Sequence, residues 1–348
     1  MLALQAVTPA ALAAAVPAIT LAEARKLVAM VHRDEPVAAS SAVRRVAAEA
    51  VRAAGHVPTL TVVERAASAL DPFTKLVVEA PDGARVETVR IPLEHPARVS
   101  VCVSSQVGCA LACTFCATGR LGLRRNLEAW EIVEQVRLVR RELAPGQRVH
   151  GVVFQGMGEP MANLDRVLAA IAVLSDPCGQ GIDARGITVC TSGNPAGIRR
   201  LAREAPNVRL GVSIASARPA TRRSLMPVDR AHDLDEVLAA AADHARATRL
   251  APMWAVTLLA GVNDGDDDAR ALAERAAAFA AATGVRPRLS VLAYNPIGAD
   301  DPFARADDAV LARFRAVLAA HGLPSHRRYS GGSDIAAACG QLAATVGR

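Results

Sequence analysis

Residues 109–116 read CALACTFC, three cysteines spaced C-x3-C-x2-C in a 348-residue chain that holds seven in all. Two thiols so placed would suggest zinc or redox chemistry, and four a closed structural zinc site. Three suit a [4Fe-4S] cluster, because thiolates are its standard ligands and one iron is left open to another molecule. Cys109, Cys113 and Cys116 are therefore the candidate cluster ligands. Spacing alone leaves open a zinc site completed by Cys102, and cysteines packed in a core. Phe115, directly before the last cysteine, is placed to shield a cluster from water.

Outward from this loop, short apolar runs alternate with amphipathic stretches. VSVCV, HGVVFQG, GITVCT, RLGVSIA, PMWAVTLL and RLSVLAY read as strands, with helices such as LEAWEIVEQVRLVRREL between them. Six β/α units predict an α/β fold, a parallel sheet curled into a full or partial barrel. Such folds place their chemistry at the C-terminal ends of the strands. CALACTFC follows the first strand, GMGEP (156–160) the second, TSGN the third and YNP the sixth. That convergence predicts an enzyme. GMGEP alone is only a strand-end turn. Beside a cluster loop its glycines allow close ligand approach, with carbonyls free to accept from an ammonium group.

Residues 1–97 read as a small α+β accessory domain, and 98–348 as the core. Thr20 and Glu23 form a capping box ahead of ARKLVAMV. Ser41 precedes a second helical stretch that stops at Gly55, and the first 70 residues look helical and Ala-rich. TKLVVEA and RVETVRI read as two strands around a turn at Asp82-Gly83.

Hydrophobic residues make up 51% of the chain and charged ones 21%, which excludes a disordered chain and allows a large core. A net charge of +6 mildly favours a polyanionic partner. The apolar start has no basic residue before Arg25, and Pro9 and Pro17 interrupt it. It therefore lacks the pattern of a secretory signal or a membrane span, and the chain reads as cytoplasmic, with no membrane association. An odd number of cysteines in a long chain suits a reducing compartment, with ligand or catalytic roles.

C-x3-C-x-[aromatic]-C resembles the signature of the radical S-adenosylmethionine (SAM) superfamily. More narrowly, CVSSQVGCALACTFCATG, FQGMGEPMANLD, VCTSGN, YNP and SDIAAACGQLA resemble the RlmN/Cfr family of radical-SAM RNA methyltransferases, from about residue 75 onward. The resemblance implies a partial (β/α)6 radical-SAM barrel, a [4Fe-4S] cluster and SAM as cofactors, and an adenosine carbon as methyl acceptor. That carbon is C2 of a 23S rRNA adenosine, with C8 as the nearest rival and tRNA as another substrate. Adenine C2 and C8 are poor nucleophiles, so a carrier is needed. In the family's mechanism one SAM methylates the cysteine of AACGQL, here Cys339. A second SAM yields a radical that takes hydrogen from that S-methyl group. The resulting carbon radical adds to adenine, a base removes the ring proton, and a second thiol releases the product as a disulfide forms. By motif position that thiol is Cys102 and the base is Glu87.

Taken alone, Cys339 reads as a buried structural thiol, Cys102 as a strand cysteine pointing into the barrel, and Glu87 as a solvated surface residue. Gly158, Glu159, Cys190, Ser213 and Asn295 match SAM-binding positions. Departures occur at Cys190 for serine, Ala215 for histidine and Tyr294 for tryptophan, and RRYSGGSDI differs from R-T-R-G-x-D-I. The resemblance also implies an electron donor such as flavodoxin or ferredoxin, and action as a monomer. Arg120, Arg124, Arg125, Arg199, Arg200, Arg222, Arg223, Arg327 and Arg328 are candidate phosphate contacts on loops, each equally readable as a solvated arginine. At 3% aromatics, extensive base stacking is disfavoured. Shape recognition of folded RNA with extrusion of one base fits better. Two rivals stand apart: a radical-SAM enzyme acting on a small molecule or peptide, and a zinc-containing RNA-binding protein.

Overall fold

A computed structural model describes residues 1–298, 300–327 and 329–342. Its centre is one ten-stranded sheet. Three strands, β1 (Thr61–Ala67), β2 (Thr74–Glu79) and β3 (Arg85–Pro92), run antiparallel at one end. β4 (Arg98–Val103) pairs antiparallel with β3 and begins the parallel part. Beside the cysteine loop, β5 (Gln106–Gly108) and β6 (Leu123–Asn126) form a separate antiparallel pair. The parallel strands continue as β7 (Arg148–Phe154), β8 (Ile187–Thr191), β9 (Arg209–Ser213), β10 (Met253–Leu258), β11 (Arg288–Ala293) and β12 (Ser325–Arg327). The order across the sheet is β12-β11-β10-β9-β8-β7-β4-β3-β2-β1. This is the expected partial α/β barrel. Its six predicted strands are present, and the short β12 is a seventh parallel strand.

Near-continuous Val, Ile and Leu runs give these parallel strands two apolar faces, as a sheet covered by helices requires. The covering helices include α4 (Ala129–Arg141), α5 (Leu164–Ser175), α6 (Pro195–Glu204), α7 (Leu234–Thr248), α8 (Asp266–Thr283) and α9 (Asp308–Ala320). One large apolar core runs from Leu60 to Leu342 through the sheet and these helices.

β1 corrects the helical reading of the first 70 residues. It is an edge strand, mostly exposed, carrying Glu64 and Arg65, so it shows little of the apolar alternation that marks a strand. The expected boundary at residue 97 falls inside this hydrogen-bonded sheet. Residues 4–51 instead close a small core of their own, built on helices Pro9–Ala15, Leu21–His32 and Arg45–Ala54. The Thr20–Glu23 capping box forms as expected. The third helix starts after Arg44 and not at Ser41, because a tight turn joins Ser40 to Val43. Arg44 then reaches back to Glu23 at 2.8 Å.

The N-terminal helices are fastened to α4. Arg137, almost wholly buried, donates to Glu134 at 2.8 Å, to Asp34 at 2.5 Å and to the Val31 carbonyl at 2.9 Å. Arg141 ties the same two carboxylates together. Among the described residues no helix is long and apolar enough to cross a membrane.

Removing Arg137 would leave buried Glu134 without one of its two cations. Arg137→Ala is therefore expected to destabilise the protein by about 3 kcal/mol and to expose the first 54 residues to protease. Urea denaturation with limited proteolysis checks this; an unchanged midpoint and cleavage pattern would contradict it.

Candidate active site

The cysteine loop is set by glycines and by a few backbone bonds. Gly108 has φ +78°, and a Cβ there would lie 1.9 Å from the Gly122 carbonyl. The space it leaves lets the Cys109 amide donate to that carbonyl at 2.9 Å. The Cys116 amide closes a turn on the Cys113 carbonyl, and the Thr114 amide donates to the Leu225 carbonyl. The result brings Cys109, Cys113 and Cys116 onto the wall of one cleft. Burial pushes the Cys109 thiol up to about 11 and that of Cys113 up to about 12, and neighbouring thiolates add to both. Left to themselves these groups hold their protons, so binding an iron cluster displaces protons. Among the described residues no three His, Cys, Asp or Glu side chains converge as a single ion would need. A cluster takes each thiolate on a different iron, and three thiols spread around a cleft fit that demand.

The cleft is open to solvent, and its walls come from the cysteine loop and the neighbouring strand ends. Its other walls are strand ends: Phe154 to Gly156 at the end of β7, Cys190 to Ser192 at β8, Ser213 and Ala215 at β9, Thr257 in β10, and Leu292 and Tyr294 at β11. Gly158, Glu159, Cys190 and Ser213 are thus gathered around the three cysteines. The departures Cys190, Ala215 and Tyr294 line this same cleft. The GMGEP glycines serve packing as well as approach. A Cβ on Gly156 would lie 2.7 Å from the Val103 carbonyl, and one on Gly158, at φ +97°, would lie 2.5 Å from Gln106. The Met157 carbonyl already accepts from the Ser105 and Gln106 amides. Glu159 is a brace between two strand ends, accepting from the amides of Met161 and Ser192, each at 3.0 Å. Burial raises its carboxyl above the usual range against these bonds.

Cys339 lines this cleft and also a second, smaller cavity, which Cys102 lines as well. Cys102 is in β4, opposite Val89 of β3 and Val153 of β7. The Cys339 backbone is clamped. Its amide donates to Ser330 Oγ at 3.0 Å, and its carbonyl accepts from Asn295 Nδ2 at 3.1 Å. The next residues bind the cysteine loop: the Ala117 amide donates to the Gly340 carbonyl at 2.8 Å, and Thr118 Oγ1 to the Leu342 carbonyl at 2.9 Å. Asn295 is therefore not brought to the cleft wall with the other matched positions. It is buried behind Cys339, donating also to Ser330 and accepting from Arg305.

Glu87 is not the surface residue that a lone strand glutamate suggests. It is fully buried, and Lys75 Nζ, also buried, donates to it at 2.9 Å. It shares a strand with Val89 and Ile91, which line the second cavity. Nothing in the sequence pairs Lys75 with it; the register does, since Lys75 lies opposite Val89 and Glu87 opposite Val77.

Several candidate phosphate contacts are committed elsewhere. Arg222 is fully buried, with Asp229 at 2.9 Å, and donates to the carbonyls of Ser192, Ser213 and Ile214. It holds two cleft-lining strand ends together. Arg125 is bound by Asp82 and Glu131, and Arg199 and Arg200 lie on α6 with acidic partners. Arg120 and Arg223 make longer contacts, to Asp301 at 3.8 Å and to Asp229 at 3.5 Å. Arg328 lies outside the described residues.

Comparison with known proteins agrees with this arrangement. The family model described as "Radical SAM superfamily" matches residues 103–283. A protein of Sorangium cellulosum named "Probable RNA methyltransferase" is 59% identical, the match covering 93% of this chain and 88% of that protein. A "Dual-specificity RNA methyltransferase RlmN" of Syntrophobacter fumaroxidans is 40% identical over 80% of this chain and 78% of its own. The crystal structure of a radical SAM methyltransferase from Sphaerobacter thermophilus superposes with a TM-score of 0.88 at 34% identity, covering 99% of this chain and 100% of the other.

Replacing Cys113 by Ala is expected to abolish cluster binding, because two thiols remain where three are needed. Anaerobic reconstitution followed by iron and sulfide counting checks this, and a full iron complement in Cys113→Ala would contradict it.

Proposed function

Since the chain belongs to the radical SAM superfamily and, within it, to the RlmN-type RNA methyltransferases, we propose that it methylates a ring carbon of an adenosine, C2 in 23S rRNA, through a methyl group held on Cys339. It is a radical-SAM RNA methyltransferase that uses a [4Fe-4S] cluster and SAM. When bound, these supply the methyl group and, after one-electron reduction, the radical that abstracts hydrogen. The electron donor is a small carrier such as flavodoxin or ferredoxin.

The observation that carries this reading is Cys339 on the walls of both cavities. A carrier thiol needs one side facing the methyl donor and another facing the acceptor. Cys109, Cys113 and Cys116 hold the cluster on the first side, with Gly158, Glu159, Cys190 and Ser213 around the donor. Asn295 acts through Cys339, fixing its carbonyl and its neighbour Ser330. On the second side Cys102 is the resolving thiol. Its thiolate attacks the sulfur of Cys339, the bond from that sulfur to the methylene carbon breaks with its electron pair going to the carbon, which takes up a proton to become the product methyl group, and a Cys102–Cys339 disulfide forms. Reduction of that disulfide restores both thiols. Glu87 is the proton acceptor, with Lys75 balancing its charge in a buried setting. It stands two residues from Val89, which lines the second cavity.

Two outcomes follow. Nucleoside mass spectrometry of rRNA from cells with and without this gene is expected to differ by one methyladenosine. An unchanged rRNA profile, with methylation found instead on a peptide or small molecule, would refute the substrate class. Cys102→Ala is expected to keep its cluster and cleave SAM, yet accumulate a covalent RNA adduct on denaturing gels. Normal multiple turnover without an adduct would remove Cys102 from the mechanism.

A further inference from the structure

Resting on the RNA reading above, we propose that Tyr329 is a stacking platform for one base of the substrate RNA, the neighbour of the adenosine that is methylated. Among the described residues Tyr329 is the one exposed aromatic side chain, 65% open to solvent. A lone exposed apolar side chain is ordinary, but this one is built in place. Its hydroxyl donates to Asp71 at 2.7 Å, and its ring meets that of Phe73 edge to face, with centroids 6.1 Å apart. Phe73 is itself buried, and its amide donates to the same Asp71 at 3.1 Å. An exposed ring held at its tip and along its body has given up its freedom before a ligand arrives, which lowers the cost of binding.

The segment around it is fitted to this arrangement. Tyr329 and Gly331 both depart from the R-T-R-G-x-D-I pattern, and the two departures are coupled. A Cβ on Gly331 would lie 2.5 Å from the Phe73 ring and 2.6 Å from Asp71 Oδ2. The two groups that hold the tyrosine therefore leave no room for an arginine side chain at 331. The Gly332 amide donates to Asp71 at 2.9 Å and fixes the backbone on the far side.

The position of the ring points to RNA. Tyr329 lines the second cavity together with Cys102 and Cys339. It directly precedes Ser330, whose Oγ accepts from the Cys339 amide. A ring both exposed and on the cavity wall is at the cavity's rim, and whatever is seated on it is held at a fixed offset from Cys339. To reach a ring carbon the enzyme must take an adenosine out of its stack, and the next base then loses a stacking partner. An aromatic face replaces that partner, and it does so for any base, because every base has a π face. One platform, and not an array, is what a chain with 3% aromatics can offer.

The test measures binding of reconstituted full-length enzyme to a 23S rRNA segment that contains the methylated position. Tyr329→Ala is expected to weaken binding about ten-fold, the scale of one base–aromatic stack. Tyr329→Phe keeps the ring without the bond to Asp71 and is expected to bind like wild type. The slope of log Kd against log salt is expected to stay the same in Tyr329→Ala, because stacking displaces no counterions. Segments with an abasic nucleotide on either side of the adenosine locate the partner: one of them is expected to cost wild type a similar factor, and Tyr329→Ala nothing further. Wild-type affinity in Tyr329→Ala, equal losses in Tyr329→Phe and Tyr329→Ala, a shallower salt slope, or losses that multiply on both abasic segments would overturn the proposal. Methylation of the intact segment by wild-type enzyme tests the substrate class separately, and its absence would overturn both readings.

Discussion

Everything in the site depends on holding one segment that lies outside any helix or strand against the cysteine loop. Residues 339–342 are outside the sheet, and their position comes from hydrogen bonds to the Ala117 amide and Thr118 hydroxyl directly behind Cys116. Asn295 and Ser330 fix the same segment from the other side. The two clamps put the Cys339 backbone between a cleft lined by Cys109, Cys113 and Cys116 and a cavity lined by Cys102. Neither would do alone. Bonds to the cysteine loop set how near Cys339 comes to the first cleft, and the Asn295–Ser330 clamp keeps its amide and carbonyl from turning away. Segment 329–334 is anchored in turn, because Asp71 accepts from Tyr329 and the Gly332 amide, and Asp334 from Ser68 and the Ala69 amide. The turn between β1 and β2 thus forms part of the active-site frame.

Buried charge is distributed to the same end. Arg222 binds three strand-end carbonyls and is neutralised by Asp229, so the rim of the cleft is fixed without leaving an unpaired cation. Glu159 joins the ends of β7 and β8 by accepting backbone amides. Such fixed rims let a site hold ligands without reorganising at each turnover. Cys190, Ala215 and Tyr294 alter the side chains of the cleft but leave this frame in place, and the Tyr294 hydroxyl is held by Asp301 at 2.6 Å.

The sequence reveals most of what repeats and little of what pairs. The six buried parallel strands are legible because each is a short apolar run followed by a Gly-containing or polar loop. The cysteine loop is legible because three ligands close in sequence must be close in space. The edge strand Thr61–Ala67 is not, since exposure on both faces removes the alternation that marks a strand. Lys75 beside Glu87 and Arg222 beside Asp229 are equally hidden, because a lysine in TKLVV and an arginine in ATRRS look solvated until strand register and helix packing bury them. Asn295 is conspicuous in YNP, yet its contacts with Ser330 and Cys339 join residues far apart in the chain.

The central claim is that the methyl group reaches RNA from Cys339 and not directly from SAM. Enzyme would be charged with SAM bearing a 13C methyl group, freed of unbound SAM, then given unlabelled SAM, reductant and unmethylated rRNA for a single turnover. The account predicts 13C in the first methyladenosine formed and its loss from the Cys339 peptide. Unlabelled methyladenosine, with the label still on Cys339, would contradict it.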